Sequence, residues 1–424
     1  MSLSSTYAKL RKSVLPHTDL LSNSSSLIAT SAVTSVMGFV FWWVAAHSAS
    51  QTAVGEASAA VSAMTFLGTI AMFGLGTLLI SQLPTMKTGR WRLIAACVLG
   101  ASVVGLIGGL IYAALAETII PGLAVVPPVA MGVLVCGVVV TAATLVLDEA
   151  MVGLMAGPVQ LIRNLYFAGG KLAALAVLGL APIAVTTSEM LGVWVGAGVL
   201  SVGAVAVSVR RRRIGGSIRP DFAGLRSVRK LAMDHNLLNL AMFLPQSALP
   251  LVVAVVVSAR ANAGFYTAWM IITVLAMIPG HFGTALFAVG RDPETLKAKV
   301  RVALLASLGI GVPLSILVIA ERDTIMGVFG EGYVGLGAAA LGILALAYIP
   351  IVFRQLYIAV SRATGRIRRA TGVALVAGVV ELTAVAVGGA TGGVTRLSIA
   401  LSVVLLLEAL VMAPAVIRAI RTGH

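Results

Sequence analysis

Long apolar stretches dominate this chain, and short polar gaps interrupt them at intervals. The apolar runs fall at 26–48, 55–81, 92–116, 125–147, 162–183, 189–209, 231–257, 263–288, 301–320, 335–360, 370–390 and 396–417. Each reaches or approaches the ~20 residues an α-helix needs to cross ~30 Å of hydrocarbon. The pattern predicts an all-α polytopic membrane protein with twelve transmembrane helices. A composition that is 59% hydrophobic, with a mean hydropathy of +1.03, agrees with that class.

Charge then fixes the orientation. When alternate gaps are assigned to opposite sides, 27 of the 30 Lys and Arg fall on one side, and only Arg260, Arg322 and Arg396 fall on the other. Lys and Arg are retained in the cytoplasm during insertion, so the rich side is cytoplasmic and both termini lie inside. One helix more or fewer would scramble this alternation. The net charge of +15 is therefore read as topology and contact with anionic inner-leaflet lipid, not as nucleic-acid binding. The outer gaps, such as 47–52 and 186–188, are too short for a receptor domain or a surface enzyme. Cys97 and Cys136 sit inside apolar runs and read as packing thiols. Residues 1–21 form a polar, basic cytoplasmic segment without the apolar core and cleavage site of a signal peptide.

The longest cytoplasmic gap, 210–230, opens with Arg210 to Arg213 and continues through Gly215, Gly216 and Pro220. It reads as a basic linker between two six-helix lobes, 22–209 and 231–420. The halves carry signs of a repeat in the same direction. At one shared offset Gly55 matches Gly264, Phe73-Gly74 matches Phe282-Gly283, Pro84 matches Pro293 and Arg92 matches Arg301. Parallel repeats of this kind imply two lobes around an axis normal to the membrane, with substrate between them. Pro245 and Pro250 interrupt the seventh run, where each removes a backbone hydrogen bond, so a broken helix lining a cavity is expected there. His235, Asn239, Met242 and Gln246 form one stripe on that run by their spacing. Pro279, Pro313 and Pro350 add hinge candidates. The first half has almost no proline inside its runs and is expected to be the stiffer lobe.

Particular stretches resemble the Wzx-type polysaccharide flippases of the multidrug/oligosaccharidyl-lipid/polysaccharide exporter superfamily. They are Gly38 to Ala46, Val54 to Ser58, Phe73-Gly74-Leu75-Gly76, Leu83-Pro84, and the connection from Leu147-Asp148 through Arg163-Asn164 to Lys171-Leu172. In the second half the resemblance rests on topology and on Pro350, Arg354, Arg362 and Gly365. It implies a MATE-like, two-lobed V. It also implies movement of undecaprenyl-pyrophosphate-linked oligosaccharide from the inner to the outer leaflet of a bacterial cytoplasmic membrane. Cation-coupled drug exporters of that superfamily often carry a carboxylate in the first helix, and the span from Ser26 to His47 has none.

Ionisable residues inside a bilayer cost at least ~2.5–3.5 kcal/mol each, so each one calls for a reason. Gln160, Asn164, Phe167 and Lys171 share one face of the fifth run, with Arg163 beside it. Arg354 lies one turn past Pro350, and Arg362 is assigned to the following loop as a topology signal together with Arg366, Arg368 and Arg369. Lys171, Arg354 and Arg163 either face a wet cleft and hold a pyrophosphate or snorkel to the headgroups. Gln160, Asn164, His235, Asn239 and Gln246 complete the candidate substrate surface. Glu381 and Glu408 fall mid-membrane, and Asp234 begins the seventh run. No basic residue lies at matching depth in the hairpin that carries Glu381 and Glu408. These carboxyls are therefore either coupling sites for Na+ or H+ or neutral groups held by Ser398, Ser402 or backbone. No catalytic set, metal-ligand cluster or phosphate loop is present, so the chain is read as a non-enzyme with no cofactor beyond a coupling ion. The expected transport unit is a monomer. The alternatives are a cation-coupled multidrug antiporter of the same fold and a membrane glycosyltransferase or polymer ligase, for which Asp148-Glu149 would be the catalytic pair.

Overall fold

The computed structural model describes residues 33–86, 88–118, 124–211, 219–220, 222, 233–287 and 293–422. These residues are almost entirely helical. The first elements are α1 (Val33–Ser48), α2 (Gln51–Met72), α3 (Leu75–Gln82), α4 (Arg90–Thr118), α5 (Pro128–Gly153), α6 (Gly157–Gly179) and α7 (Thr187–Arg211). They are followed by α8 (Met233–Val256), α9 (Ala259–Phe287), α10 (Pro293–Ala320), the short α11 (Arg322–Gly327), α12 (Glu331–Leu346) and α13 (Tyr348–Ala363). A last helical run, Ile367–Thr422, carries non-helical backbone at Gly392 and Gly393. At ~1.5 Å per residue, a straight helix of that length would far exceed a bilayer of ~30 Å. The chain instead turns back at the two glycines, where Gly393 adopts a φ of +65° that side chains disfavour. The arms, α14 (367–391) and α15 (394–422), lie against each other, and a Cβ on Gly388 would sit 2.9 Å from the Leu397 backbone.

Among the described residues nine helices are long and apolar enough to cross a membrane, or ten when the bent pair α12–α13 counts as one. Every apolar run of the sequence but the first overlaps one of these, and the first, 26–48, overlaps the shorter α1. Ile107, Leu110 and Ile111 on α4 and Val177 on α6 point outward. Such exposed apolar faces suit lipid rather than water.

The breaks do not fall where the prolines predicted. α8 is one continuous helix with Pro245 and Pro250 inside it, and α9 and α10 run through Pro279 and Pro313. The expected broken seventh helix is therefore absent. Each proline removes one hydrogen bond, and the packed helix continues past the loss. The second run, expected to be unbroken, splits between α2 and α3 because Gly74 takes a φ of +75°. Its repeat mate, Phe282-Gly283, stays inside α9. Only at Pro350 does the hinge reading hold, since α12 and α13 meet at 53° three residues earlier, around Ala347.

α4, α5, α6 and α7 pack together with α2, while α9, α10, α12, α13, α14 and α15 pack as a second group. α2 also packs against α8 and α9, which joins the two groups. Near the start of α2 that junction is close. Gly55 meets the Ala259 carbonyl, and the Asn262 amide donates to Gly55 O at 2.9 Å and to Ser58 Oγ at 3.0 Å. Arg260 Nε donates to Gln51 Oε1 at 2.9 Å, and Trp43 Nε1 to Val328 O at 2.9 Å. Trp42 and Tyr266 add an edge-to-face ring pair 4.9 Å apart.

Candidate functional site

Arg354 lies on α13, Glu381 on α14 and Glu408 on α15. The turn at Gly392–Gly393 brings the two carboxylates level, and α13 supplies the cation from outside the hairpin. Arg354 Nη1 donates to Glu381 Oε1 and lies 3.5 Å from Glu408 Oε2. The three residues are 5%, 1% and 9% exposed. One guanidinium thus faces two carboxyl groups in a dry setting. Arg354 Nη2 and both Glu408 oxygens have no hydrogen-bond partner. The cation missing from the hairpin's own sequence therefore comes from the neighbouring helix, and Ser398 and Ser402 bond to backbone carbonyls of Val394 and Ile343 instead of to either glutamate.

Arg354 and Glu381 line a cavity of about 420 Å³. Asn239, Gln246, His281 and Arg362 line it too. Arg362 is not a loop residue. α13 runs to Ala363, so Arg354, Ile358 and Arg362 succeed one another at four-residue steps on the cavity face. Arg362 Nη2 donates to Asn239 Oδ1 at 2.6 Å. The i, i+4, i+8 spacing was visible in the sequence, but the assignment to a loop obscured it. The described members of the α8 stripe, Asn239, Met242 and Gln246, all reach this wall. The side chains of Asp234 and His235 lie outside the described residues.

A second polar cluster lies between α5, α6 and α7. Arg163 grips Asp148 with both arms of its fork, Nε to Oδ1 at 3.1 Å and Nη2 to Oδ2 at 2.5 Å. It also donates to Asn164 Oδ1 at 3.0 Å and to Ser201 Oγ at 3.4 Å. Asn164 Nδ2 returns a bond of 3.3 Å to Asp148. Arg163 is buried, so it does not snorkel. Asp148 is the partner that sequence reasoning missed. Gln160 sits one turn before Asn164, and its side-chain oxygen is buried without a partner. Asp148, Arg163, Asn164, Phe167 and Trp194 border a cavity of about 190 Å³.

Lys171 is buried as well, but among the described residues no carboxylate pairs with it. Its Nζ lies 3.4 Å from the centre of the Trp194 ring, 4.7 Å from Phe167 and 5.0 Å from Phe41. Cation–π attraction to three rings replaces its hydration. The rings of Phe167 and Trp194 face the cavity, while Lys171 does not reach the walls of the cavities described here. Lys171 and Arg354 therefore do not converge on one open cleft in this conformation.

Between these regions lies a third cavity, of about 200 Å³, lined from α2, α8 and α9. It shares Gln246, Trp269 and Thr273 with the larger cavity and Thr65 with the α5–α7 cavity. Three adjoining spaces thus run from the Arg354 cluster to the Arg163 cluster. The zipped junction at Gly55 and Asn262 lies about two turns along α2 from Ser62 and Thr65.

No family model and no curated protein matches this sequence. Solved structures do match. The lipid II flippase MurJ in its inward closed conformation aligns with a TM-score of 0.68 at 10% identity, over 93% of this chain and 90% of that one. An inward-facing multidrug resistance MATE family transporter of the MOP superfamily aligns at 0.66 and 14%, over 91% and 94%. An outward-facing MATE family transporter aligns at 0.58 and 15%, over 95% of each chain. The chain shares the fold of these structures. With its long apolar helices, the chain is a multi-pass membrane protein of the architecture seen in that MATE transporter and that MurJ flippase.

Proposed function

We propose that this protein is a flippase that carries undecaprenyl-pyrophosphate-linked oligosaccharide from the inner to the outer leaflet by alternating access. The observation that carries the reading is the series of three adjoining cavities, one within each helix group and one between α2, α8 and α9, with Arg354 and Arg362 in the wall of the largest. A pyrophosphate suits two guanidinium forks, and a glycan suits the amide and hydroxyl groups beyond them. In this reading the lobes are 22–209 and 231–420, and the basic 210–230 linker contacts anionic lipid. The zipped end is the outer gate, so the described conformation faces inward. Glu381 and Glu408 share one charge that Arg354 does not balance, which leaves room for one H+ or Na+ as the coupling ion.

The deciding experiment is reconstitution. Liposomes containing the purified protein should move a fluorescent polyprenyl-pyrophosphate oligosaccharide between leaflets, read by its loss of protection from an impermeant quencher. A deletion strain should accumulate the same lipid by mass spectrometry. A second reading, a cation-coupled multidrug antiporter, draws on the apolar part of the large cavity, where Met242, Phe243, Ile272 and Met277 line the wall. Gradient-driven efflux of an organic cation without any lipid transfer would establish that reading and end the first.

The proposed topology counts twelve crossings, with α1, the bent α12–α13 pair and the two arms of the last hairpin each taken as one. Single cysteines at Thr88 and Gly365 should be silent to an impermeant thiol reagent in intact cells, whereas cysteines at Ser50 and Ala181 should label. All four positions are exposed. Labelling at Gly365 from outside would overturn the count.

A further inference from the structure

The central cavity has a hydrogen-bonding character that its composition alone does not convey. Three of its hydroxyl groups have already used their only proton. Thr65 donates to Val61 O at 2.8 Å, Ser247 to Phe243 O at 2.8 Å and Thr273 to Met270 O at 2.7 Å. Their oxygens therefore face the space as acceptors. Two further groups, Ser62 Oγ and the Gln246 carboxamide, line the cavity and make no hydrogen bond among the described residues. Ser62 is only 6% exposed and lines the cavity. A polar group that opens onto a cavity without a protein partner is free to bond a ligand there. One wall is the Trp269 ring, whose plane is fixed by parallel stacking on Phe265 at 6.2 Å and 8°.

Acceptors in excess, one amide and one fixed aromatic face make a particular chemical complement. Phosphate oxygens are acceptors themselves and gain little from such a wall. A pyranose presents many O–H donors around its rim, together with a face of C–H groups carrying partial positive charge, which settles on the electron-rich face of an aromatic ring. An organic cation could also stack on Trp269. Arg362 in the adjoining wall, whose charge meets only the neutral Asn239 among the described residues, opposes that occupant.

We propose that the space bounded by Ser62, Thr65, Gln246, Ser247, Trp269 and Thr273 is a monosaccharide subsite, which seats the sugar next to the anionic group held at Arg354 and Arg362. The assignment rests on the flippase reading and gives it a direction. The glycan points toward α2 and the α5–α7 cavity, and the pyrophosphate stays against α13.

The test uses the full-length protein in nanodiscs and three probes: farnesyl pyrophosphate, farnesyl pyrophosphate bearing one hexose, and tetraphenylphosphonium. The glycosylated probe should bind at least tenfold more tightly than the bare one. Ser62→Ala, whose residue lines the central cavity and not the larger one, should remove most of that margin while leaving the affinity for the bare probe unchanged, which also shows that the variant is folded. Gln246→Leu should lower the affinity for the glycosylated probe more than that for the bare one. Trp269→Leu should abolish the margin, and Trp269→Tyr should keep part of it. Equal affinity for the two pyrophosphates in the wild type, or a margin that survives all these variants, would overturn the subsite and leave the flippase reading standing. If neither pyrophosphate binds and tetraphenylphosphonium does, in a manner dependent on Trp269, the flippase reading itself fails and takes the subsite with it.

Discussion

Arg354→Ala should cripple the protein as a folded object before it cripples it as a transporter. The substitution strands Glu381 and Glu408 side by side with no cation, in a place where side chains are almost fully excluded from solvent. Removing one partner of a buried ion pair costs ~3–5 kcal/mol, because the remaining charge stays unpaired and must take up a proton or unfold its surroundings. The expected result is a large fall in apparent melting temperature and a polydisperse size-exclusion profile. The companion variant separates this cause from simple loss of packing. Arg354→Ala combined with Glu381→Gln should recover much of the lost stability, since a neutral amide needs no counter-charge. Arg354→Lys should fall between the two, because an ammonium keeps the charge and loses the planar fork. Wild-type stability in Arg354→Ala would show that the cluster is not a structural ion pair, and would return Arg354 to the role of a free substrate ligand.

The contrast between what the sequence displayed and what it concealed has a physical basis. Apolar length and the distribution of Lys and Arg are one-dimensional properties, so the runs and their overlap with helices could be read directly. Backbone breaks could not. The apolar pattern passes straight through Phe73-Gly74, and nothing in it says that Gly74 takes a positive φ while Gly283 remains helical. Prolines proved a poor guide for the opposite reason. A helix packed on several sides tolerates one missing hydrogen bond, as α8 does twice. The polar clusters were half legible. That Arg163, Lys171, Arg354, Glu381 and Glu408 fall within membrane runs followed from their positions, but the burial of the three cations, read as facing a wet cleft or snorkelling, and the partners of all five did not. Asp148 meets Arg163 across the α5–α6 turn, and Arg354 reaches two carboxylates on a different hairpin. Such pairings depend on which helices become neighbours, and periodicity within one helix carries no record of that. Lys171 is the clearest case. A stripe argument put it on a wet face, whereas the side chains of Phe41, Phe167 and Trp194, from three separate helices, enclose it.

The second large effect is expected at Gly55. Its α-carbon packs so closely on the start of α9 that an added Cβ would fall on the Ala259 carbonyl oxygen, a backbone atom with no rotamer to give. Gly55→Val therefore should prevent α2 and α9 from meeting, and with them the whole zipped end. Asn262 would lose its bonds to Gly55 O and Ser58 Oγ, and Arg260 its bond to Gln51. In a protein that alternates between two states, a change that blocks one state shifts the population to the other by the free energy of the lost contact. The measurement is accessibility of a cysteine placed at Ser62, in a background where Cys97 and Cys136 are replaced by alanine. With Gly55 intact, an impermeant maleimide added outside the cell should react slowly, because Ser62 lies below the closed junction. With Gly55→Val the rate should rise by an order of magnitude or more, and lipid transfer should stop. Asn262→Ala provides the graded control. It removes two hydrogen bonds, worth ~0.5–1.5 kcal/mol each, without adding bulk, so it should loosen the junction and leave it able to close. Equal labelling rates with glycine and with valine would mean that this end of the molecule is not a gate, and that the close approach of α2 and α9 is a permanent part of the fold.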